Sequence, residues 1–340
     1  MRALLASVFG VGLLLGAQLV FAQTSGGIDP VQYIVSPETP GPNQSVTIEA
    51  QGVGAFLGDA TITWQLDGKT MSSSVGQRTF TFTTGPLGSV NRVHVEIDSS
   101  TQGTLTHDFT FVPSNVNLIW EAHTTTPFTY RGKALYSPGS TIKVVAFPTI
   151  VSGGTTISAN NLSFEWQRNG TPVPAQSGKG FSTFTFSGDQ LRGGEDVSVD
   201  VYFSGVKVGS AAVSIPAVEP ELVFYNKDDL RGVLFDQALP STVSLTGKEV
   251  TLQAVPYYFS SDSAQNGNLT FNWILDGQPT TGPDTANGIL TLRQTGEGNG
   301  SATVSATMQN SDQSKFIQSA TAALQINFGQ TSSSNSLFGL

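Results

Sequence analysis

The sequence predicts an all-β chain: three two-layered antiparallel sandwiches in a row, placed after an N-terminal leader. Three observations carry this. Apolar and polar residues alternate over short runs along the chain, the period of a strand with one buried face. A single block recurs three times, as ITWQLDG (62–68), FEWQRNG (164–170) and FNWILDG (271–277). Each copy is a Trp, two spacers and Asp/Asn-Gly, and the copies lie about a hundred residues apart, the length of one small sandwich. Only 12% of residues are charged and 37 are Gly, with Thr, Ser and Asn plentiful; that composition suits sheet surfaces and turns rather than helices.

The leader comes first. MRALLASVFGVGLLLGAQLVFAQ carries one basic residue, Arg2, then an apolar run to Phe21, with the small residues Val20 and Ala22 before the expected cut. Residues 1–22 read as a signal peptide cleaved after Ala22. No basic stop-transfer flank follows, so no membrane span is expected once it is removed. The expected location is exported: extracellular, cell surface or periplasm. The chain has no Cys, which excludes disulfides, thiol nucleophiles, cysteine metal sites and a lipidated cysteine anchor. A bridgeless exported chain points to a bacterial source. With 16 basic against 25 acidic residues and a net charge of −9, and no basic cluster, nucleic acid is not an expected partner.

The repeat divides the remainder into a first unit over 28–113, a second over 114–218, a third over 219–328 and a Ser/Asn-rich tail, expected to be disordered, over 329–340. Upstream of each Trp lies a strand of alternating apolar residues: Val46, Ile48, Ala50; Ile142, Val144, Ala146; Val250, Leu252, Ala254. The Trp strand alternates as well, which sends Trp64, Trp166 and Trp273 into the interior as structural core residues. Asp67-Gly68, Asn169-Gly170 and Asp276-Gly277 then fit two-residue hairpin turns, because both positions tolerate positive φ. Three further strands follow in each copy, for about seven per unit.

This pattern resembles the immunoglobulin-like sandwich and, more loosely, the PKD-type module of bacterial surface and secreted proteins. The resemblance covers residues 28–328 three times over. It implies two sheets packed face to face around the central Trp. The inter-sheet disulfide of antibody domains is missing, and Trp-x-x-Asp/Asn-Gly stands where the PKD pattern has an additional Gly-Asp-Gly.

A second repeat marks the later units. LIWEAHTTTPFTYRGKAL (118–135) aligns with LVFYNKDDLRGVLFDQAL (222–239). Each arm reads as a split first strand with a crossing loop that packs its unit against the one before, placing Trp120 near the seam. Catalytic chemistry finds little support. His94, His107 and His123 lack metal-ligand spacing, His94 facing outward and His107 starting a strand, and no nucleophile elbow is present. Glu195-Asp196 and Asp228-Asp229 fall in expected loops; Asp228 and Asp229 are the pair that would hold an interdomain calcium ion, and no calcium-loop motif supports one. No catalytic, cofactor or metal residue is assigned. The candidate binding surface is aromatic: Trp120, Phe128, Tyr130, Tyr257, Tyr258 and Phe259. Such rings either pack the seams, as their fixed spacing suggests, or meet a protein or glycan at the cell surface. The expected function is a non-enzymatic exported stalk, adhesin or assembly scaffold. The alternatives are a carbohydrate-binding accessory protein and a secreted hydrolase with an interdomain site. Expression in an exporting host should yield a chain beginning at Gln23, which N-terminal sequencing checks.

Overall fold

The computed structural model describes residues 30–52, 56–245, 247–296, 298–315 and 318–329. The expected signal peptide, and the tail beyond Gly329, lie outside them.

The first sandwich runs β1 (Val31–Ser36), β2 (Ser45–Gly52), the short helix α1 (Phe56–Asp59), β3 (Thr61–Leu66), β4 (Lys69–Val75), β5 (Thr79–Thr83), β6 (Asn91–Ser99) and β7 (Gly103–Phe111). One sheet has the order β1-β2-β5 and the other β4-β3-β6-β7. The second comprises β8 (Asn115–His123), β9 (Thr141–Thr149), a small hairpin of β10 (Val151–Ser152) and β11 (Thr155–Thr156), β12 (Ser163–Arg168), β13 (Thr171–Pro172), β14 (Gly178–Lys179), β15 (Thr183–Ser187), β16 (Gly194–Phe203) and β17 (Val206–Pro216). Its sheets are β15-β9-β8 and β13-β12-β16-β17, with β14 also pairing with β12. The third comprises β18 (Glu221–Asp228), β19 (Gly232–Ala238), β20 (Thr242–Ser244), β21 (Glu249–Tyr257), α2 (Ser261–Gln265), β22 (Leu269–Leu275), β23 (Gln278–Thr280), β24 (Ile289–Arg293), β25 (Gly300–Asn310) and β26 (Ser319–Phe328). Here the sheets are β19-β18-β21-β24 and β20-β26-β25-β22-β23. The short β20 pairs in parallel with β26; the other pairings between these strands are antiparallel. The chain is thus three tandem immunoglobulin-like sandwiches.

Each sandwich closes over its own core. The first gathers Val46, Ile48, Trp64, Val93 and Val95. The second gathers Ile142, Val144, Phe164, Trp166 and Val199, and the third Leu252, Ala254, Trp273, Val304 and Ile326. The three Trp are 0%, 1% and 4% exposed. Their rings lie against an aromatic neighbour, Phe80 at 5.3 Å, Phe184 at 5.6 Å and Phe224 at 5.7 Å. In every unit the strand after the hairpin stays on the Trp sheet, and the chain then crosses to the opposite sheet. The indole N–H holds that crossing segment. Trp64 Nε1 donates to the Gln77 carbonyl at 3.0 Å, Trp166 to Phe181 at 2.8 Å and Trp273 to Thr285 at 3.0 Å.

The Asp/Asn-Gly turns are equally regular. Asp67, Asn169 and Asp276 have φ of 51°, 51° and 49°, and the following glycines 79°, 76° and 79°, as a type I′ turn requires. The Asp or Asn side chain then accepts a backbone N–H from the neighbouring strand: Asp67 from Arg92 at 2.8 Å, Asn169 from Asp196 at 2.9 Å, Asp276 from Thr303 at 2.7 Å. The backbone N–H of the same residue donates back to the carbonyl of the same partner. A short side-chain oxygen and tolerance of the left-handed region are needed at once, and Asp and Asn supply both.

Two strand expectations change. His107 does not start a strand: β7 begins at Gly103 and places His107 within it, with its ring against Tyr33 at 4.7 Å and Phe109 at 4.6 Å. Glu195 is not in a loop but near the start of β16. Replacing Trp166 by Ala should lower stability by about 3–5 kcal/mol. Replacing it by Phe retains much of the ring but leaves the Phe181 carbonyl without its donor, a loss of about 1–3 kcal/mol. Urea unfolding followed by circular dichroism measures both.

Candidate functional site

The sequence places its candidate residues on the arms and at the end of β21, so the seams are where a site would form. The first seam is held by a buried linker residue and by charged and hydroxyl side chains: Ser114, 6% exposed, donates its N–H to the Pro40 carbonyl at 3.1 Å and its Oγ to the Val208 carbonyl. Lys207 Nζ lies 3.0 Å from Glu38 Oε2 and 3.1 Å from Asp200 Oδ1. The Thr39 and Ser210 hydroxyls meet at 2.9 Å. The loop after β9 reaches the first unit at Gly88, where φ is +74° and a Cβ would lie 2.6 Å from Val151 Cγ1. Only glycine permits both that backbone and that approach.

The second seam is built differently. Past β8 the arm runs across to the end of β21. Thr124 forms an antiparallel bridge with Ser260. Thr125 N–H donates to Phe259 O at 2.6 Å, and Tyr258 N–H donates to Thr125 O at 2.7 Å. Tyr258 has φ of +63°, a conformation costing about 1–3 kcal/mol for a residue with a side chain. The bond to Thr125, and a second from Ser137 Oγ to the Tyr258 carbonyl, hold it there. This turn swings Phe259 into the third core, where it is fully buried.

Beneath the bridge lies a closed polar network centred on Gln318, which is 0% exposed. Its Nε2 donates to Ser137 Oγ and to the Pro138 carbonyl, both at 3.0 Å. Its Oε1 accepts from Ser260 N–H at 3.0 Å and from Asn310 Nδ2 at 2.9 Å. Ser137 and Ser260 are also fully buried. Helix α2 adds an outer clamp: Asp262 meets His123 Nδ1 at 2.9 Å and accepts from Thr141 Oγ1 at 3.0 Å. The first arm therefore packs forward onto the third unit, not back onto the first as its sequence suggests. The second arm, the β18–β19 hairpin, reaches back through Phe235 to Phe128 at 5.5 Å.

The candidate aromatics separate into three groups. Phe128, Tyr130, Tyr257 and Tyr258 come together, joined by Tyr225 and Phe235. The Tyr130 and Tyr258 hydroxyls are 3.1 Å apart and those of Tyr225 and Tyr257 2.7 Å. Tyr130 also packs edge-on to Tyr257 at 6.1 Å. Burial, then the bond with Tyr130, pushes the Tyr258 phenol up to about 12; burial and the bond with Tyr225 push Tyr257 upward as well. Both stay protonated at physiological pH and serve as hydrogen-bonding groups, not bases. Phe259 leaves the candidate surface because it is core. Trp120 leaves the seam: it lies half-buried against the second core, and Lys133 Nζ sits 3.3 Å over its ring.

Two features were invisible in the sequence. Gln318, Ser137, Ser260 and Asn310 come from four separated segments, and no local pattern marks a polar residue that will be buried. Glu195 is the second. Expected in a loop, it is 1% exposed and held by Arg168 at 2.9 and 2.6 Å, Asn169 at 2.7 Å and Asp189 N–H at 2.6 Å. Burial alone would raise its pKa; the bonds from Arg168, Asp189 and Asn169 outweigh burial and hold it below the ordinary range. Asp228 caps its own turn, accepting from Leu230 and Arg231 N–H at 2.9 Å each. Among the described residues, no group of three or more His, Asp or Glu is placed to hold a metal ion.

The sequence matches no protein-family model and no curated protein. Similar solved structures are multi-domain β arrays. The three N-terminal domains of the bacteriophage RB49 highly immunogenic outer capsid protein align over 88% of this chain and 98% of theirs, at 14% identity and a TM-score of 0.26. The central fibronectin-III array of RIM-binding protein aligns over 89% and 98%, at 13% and 0.30. The Bacteroides ovatus SGBP-B of a mixed-linkage glucan utilization locus, solved with a heptasaccharide, aligns over 90% and 71%, at 10% and 0.20. Such values assign no function.

Because the folded Glu195 carboxyl titrates below its unfolded value of about 4.3, its stabilisation is present above that pH and is lost as pH falls through the lower folded value. Urea midpoints measured from about pH 5 down to about pH 3 should therefore fall more steeply for the native chain than for Glu195→Gln.

Proposed function

We propose that this chain is a non-enzymatic, exported stalk or assembly scaffold of the cell surface or envelope, whose work is to hold modules in fixed relation. The observation that carries the reading is the Gln318 network. A flexible string of domains has no use for a polar cluster buried between two of them. Each group there is costly to bury unless its partner is in place, so the satisfied set favours one docking geometry over its neighbours. Inter-domain contacts are otherwise mobile by default.

The titratable side chains support the non-enzymatic reading through what they already do. His94 bonds Asp108 at 2.7 Å within one sheet, His123 and Asp262 tie the seam, and Glu195 is spent on Arg168. The loops that join the second strand to the Trp strand, where ligand recognition is usual in such sandwiches, are drawn into the joints in the second and third units. Val151 meets the first unit and α2 meets the second. Recognition by this scaffold then falls to exposed sheet edges, the flanks of the seams and the outer end of the first unit.

The absence of Cys permits clean labelling. Spin labels on one introduced Cys in the second unit and one in the third, both at exposed strand positions, should give a single narrow distance distribution by pulsed EPR. Gln318→Leu should broaden it. A broad distribution in the otherwise native chain would show a flexible linker and remove the basis of this reading.

A further inference from the structure

Beside the second seam runs a groove of about 470 Å³, walled on one side by Thr125, Thr126, Pro127 and Phe128 of the second unit's arm and on the other by Phe235 and strand β21 of the third unit. Phe128 stands at its rim. The residue is 89% exposed, and its ring packs edge-to-face against Phe235 at 5.5 Å and 86°. Most of its apolar surface faces solvent, in contrast to the tyrosines beside it, which bond one another.

We infer that this groove binds a neutral glycan, with Phe128 as the plate on which one sugar ring stacks. Three properties of the groove select that class. Its volume falls within the range of about 300–1,000 Å³ typical of small-ligand sites. None of its lining side chains is charged, so nothing there compensates a phosphate, a carboxylate or an ammonium group. The polar groups present are amides and hydroxyls, those of Gln253, Asn287, Thr125 and Thr126, which match sugar hydroxyls in both donor and acceptor sense. Gln253 is already oriented: its Nε2 is held by the Ala254, Asn287 and Gly288 carbonyls at 3.1, 3.2 and 3.3 Å, which leaves its Oε1 as an acceptor for a sugar hydroxyl. An aromatic plate with neutral amides around it suits a ligand with one apolar face and a polar rim. A lipid lacks that rim.

The two walls belong to different sandwiches, so the groove has its shape only while the second seam is docked. Binding then draws on a joint whose ordering is complete before the ligand arrives. The inference depends on that joint being fixed and does not depend on the stalk role.

The test uses the chain lacking residues 1–22. Its migration is measured by affinity electrophoresis in gels containing hydroxyethylcellulose, xylan or galactomannan, with alginate as an acidic control. A proline-rich decapeptide is titrated in parallel by fluorescence anisotropy. At least one neutral polysaccharide should retard the chain. Phe128→Ala should weaken that interaction about tenfold or more, while its thermal melt stays unchanged because the ring is exposed, and Trp120→Ala should bind normally. The inference is overturned if no neutral polysaccharide retards the chain, if retardation survives Phe128→Ala, or if only alginate or only the peptide binds. Pulsed EPR on the same protein separates the outcomes: a narrow inter-unit distance without glycan binding rejects the groove and leaves the scaffold standing.

Discussion

The bond from each buried indole N–H to a carbonyl of the crossing segment is the constraint on which the rest of this structure hangs. A two-sheet sandwich must carry its chain from one sheet to the other, and the crossing exposes backbone groups that belong to neither ladder. Here the Trp at the centre of one sheet fills the core with its ring and satisfies the crossing backbone with its nitrogen, in all three units. The next strand then arrives at a fixed height: in the first two units it delivers the Phe that lies against the same ring, Phe80 or Phe184. In the third unit the ring partner is Phe224, which comes from the first strand instead. Any large apolar residue would fill the volume. Trp is used three times because volume and donor are needed together.

The hairpin beside each Trp solves a related problem. Its Asp or Asn holds the tight turn and ties it to the start of the neighbouring strand. Trp and Asp/Asn-Gly are therefore one device. The Trp secures the strand to the crossing segment behind it, and the turn secures the same strand to the partner beside it. Both contacts lie within a single unit, so the motif could be copied along the chain without reference to its neighbours.

The seams follow other rules. The first joins exposed charges and hydroxyls, such as Lys207 with Glu38, contacts worth about 0–1 kcal/mol each in water, to the single buried linker residue Ser114. The second encloses Gln318, Ser137, Ser260 and Asn310 away from water. Removing one member there leaves the others short of partners, and the cost of that fixes the docking geometry. The strained turn at Tyr258 belongs to the same arrangement. It sends Phe259 into the core and keeps Tyr257 and Tyr258 at the surface of the joint, so three consecutive aromatics that look equivalent in the sequence come to have different roles.

What the sequence by itself determined is whatever repeats at short range: strand alternation, the Trp, the glycine turns, the number of sandwiches and their order. Those features are legible because period and turn chemistry act on neighbouring residues. The direction in which the first arm packs, the burial of Glu195 and Phe259, the retreat of Trp120 beneath Lys133 and the exposure of Phe128 beside a groove were decided only by tertiary structure. Each depends on which distant segment arrives to supply a partner or to exclude water. The same Gln or Glu is a surface residue until another unit closes over it, and no local pattern in the chain records that event.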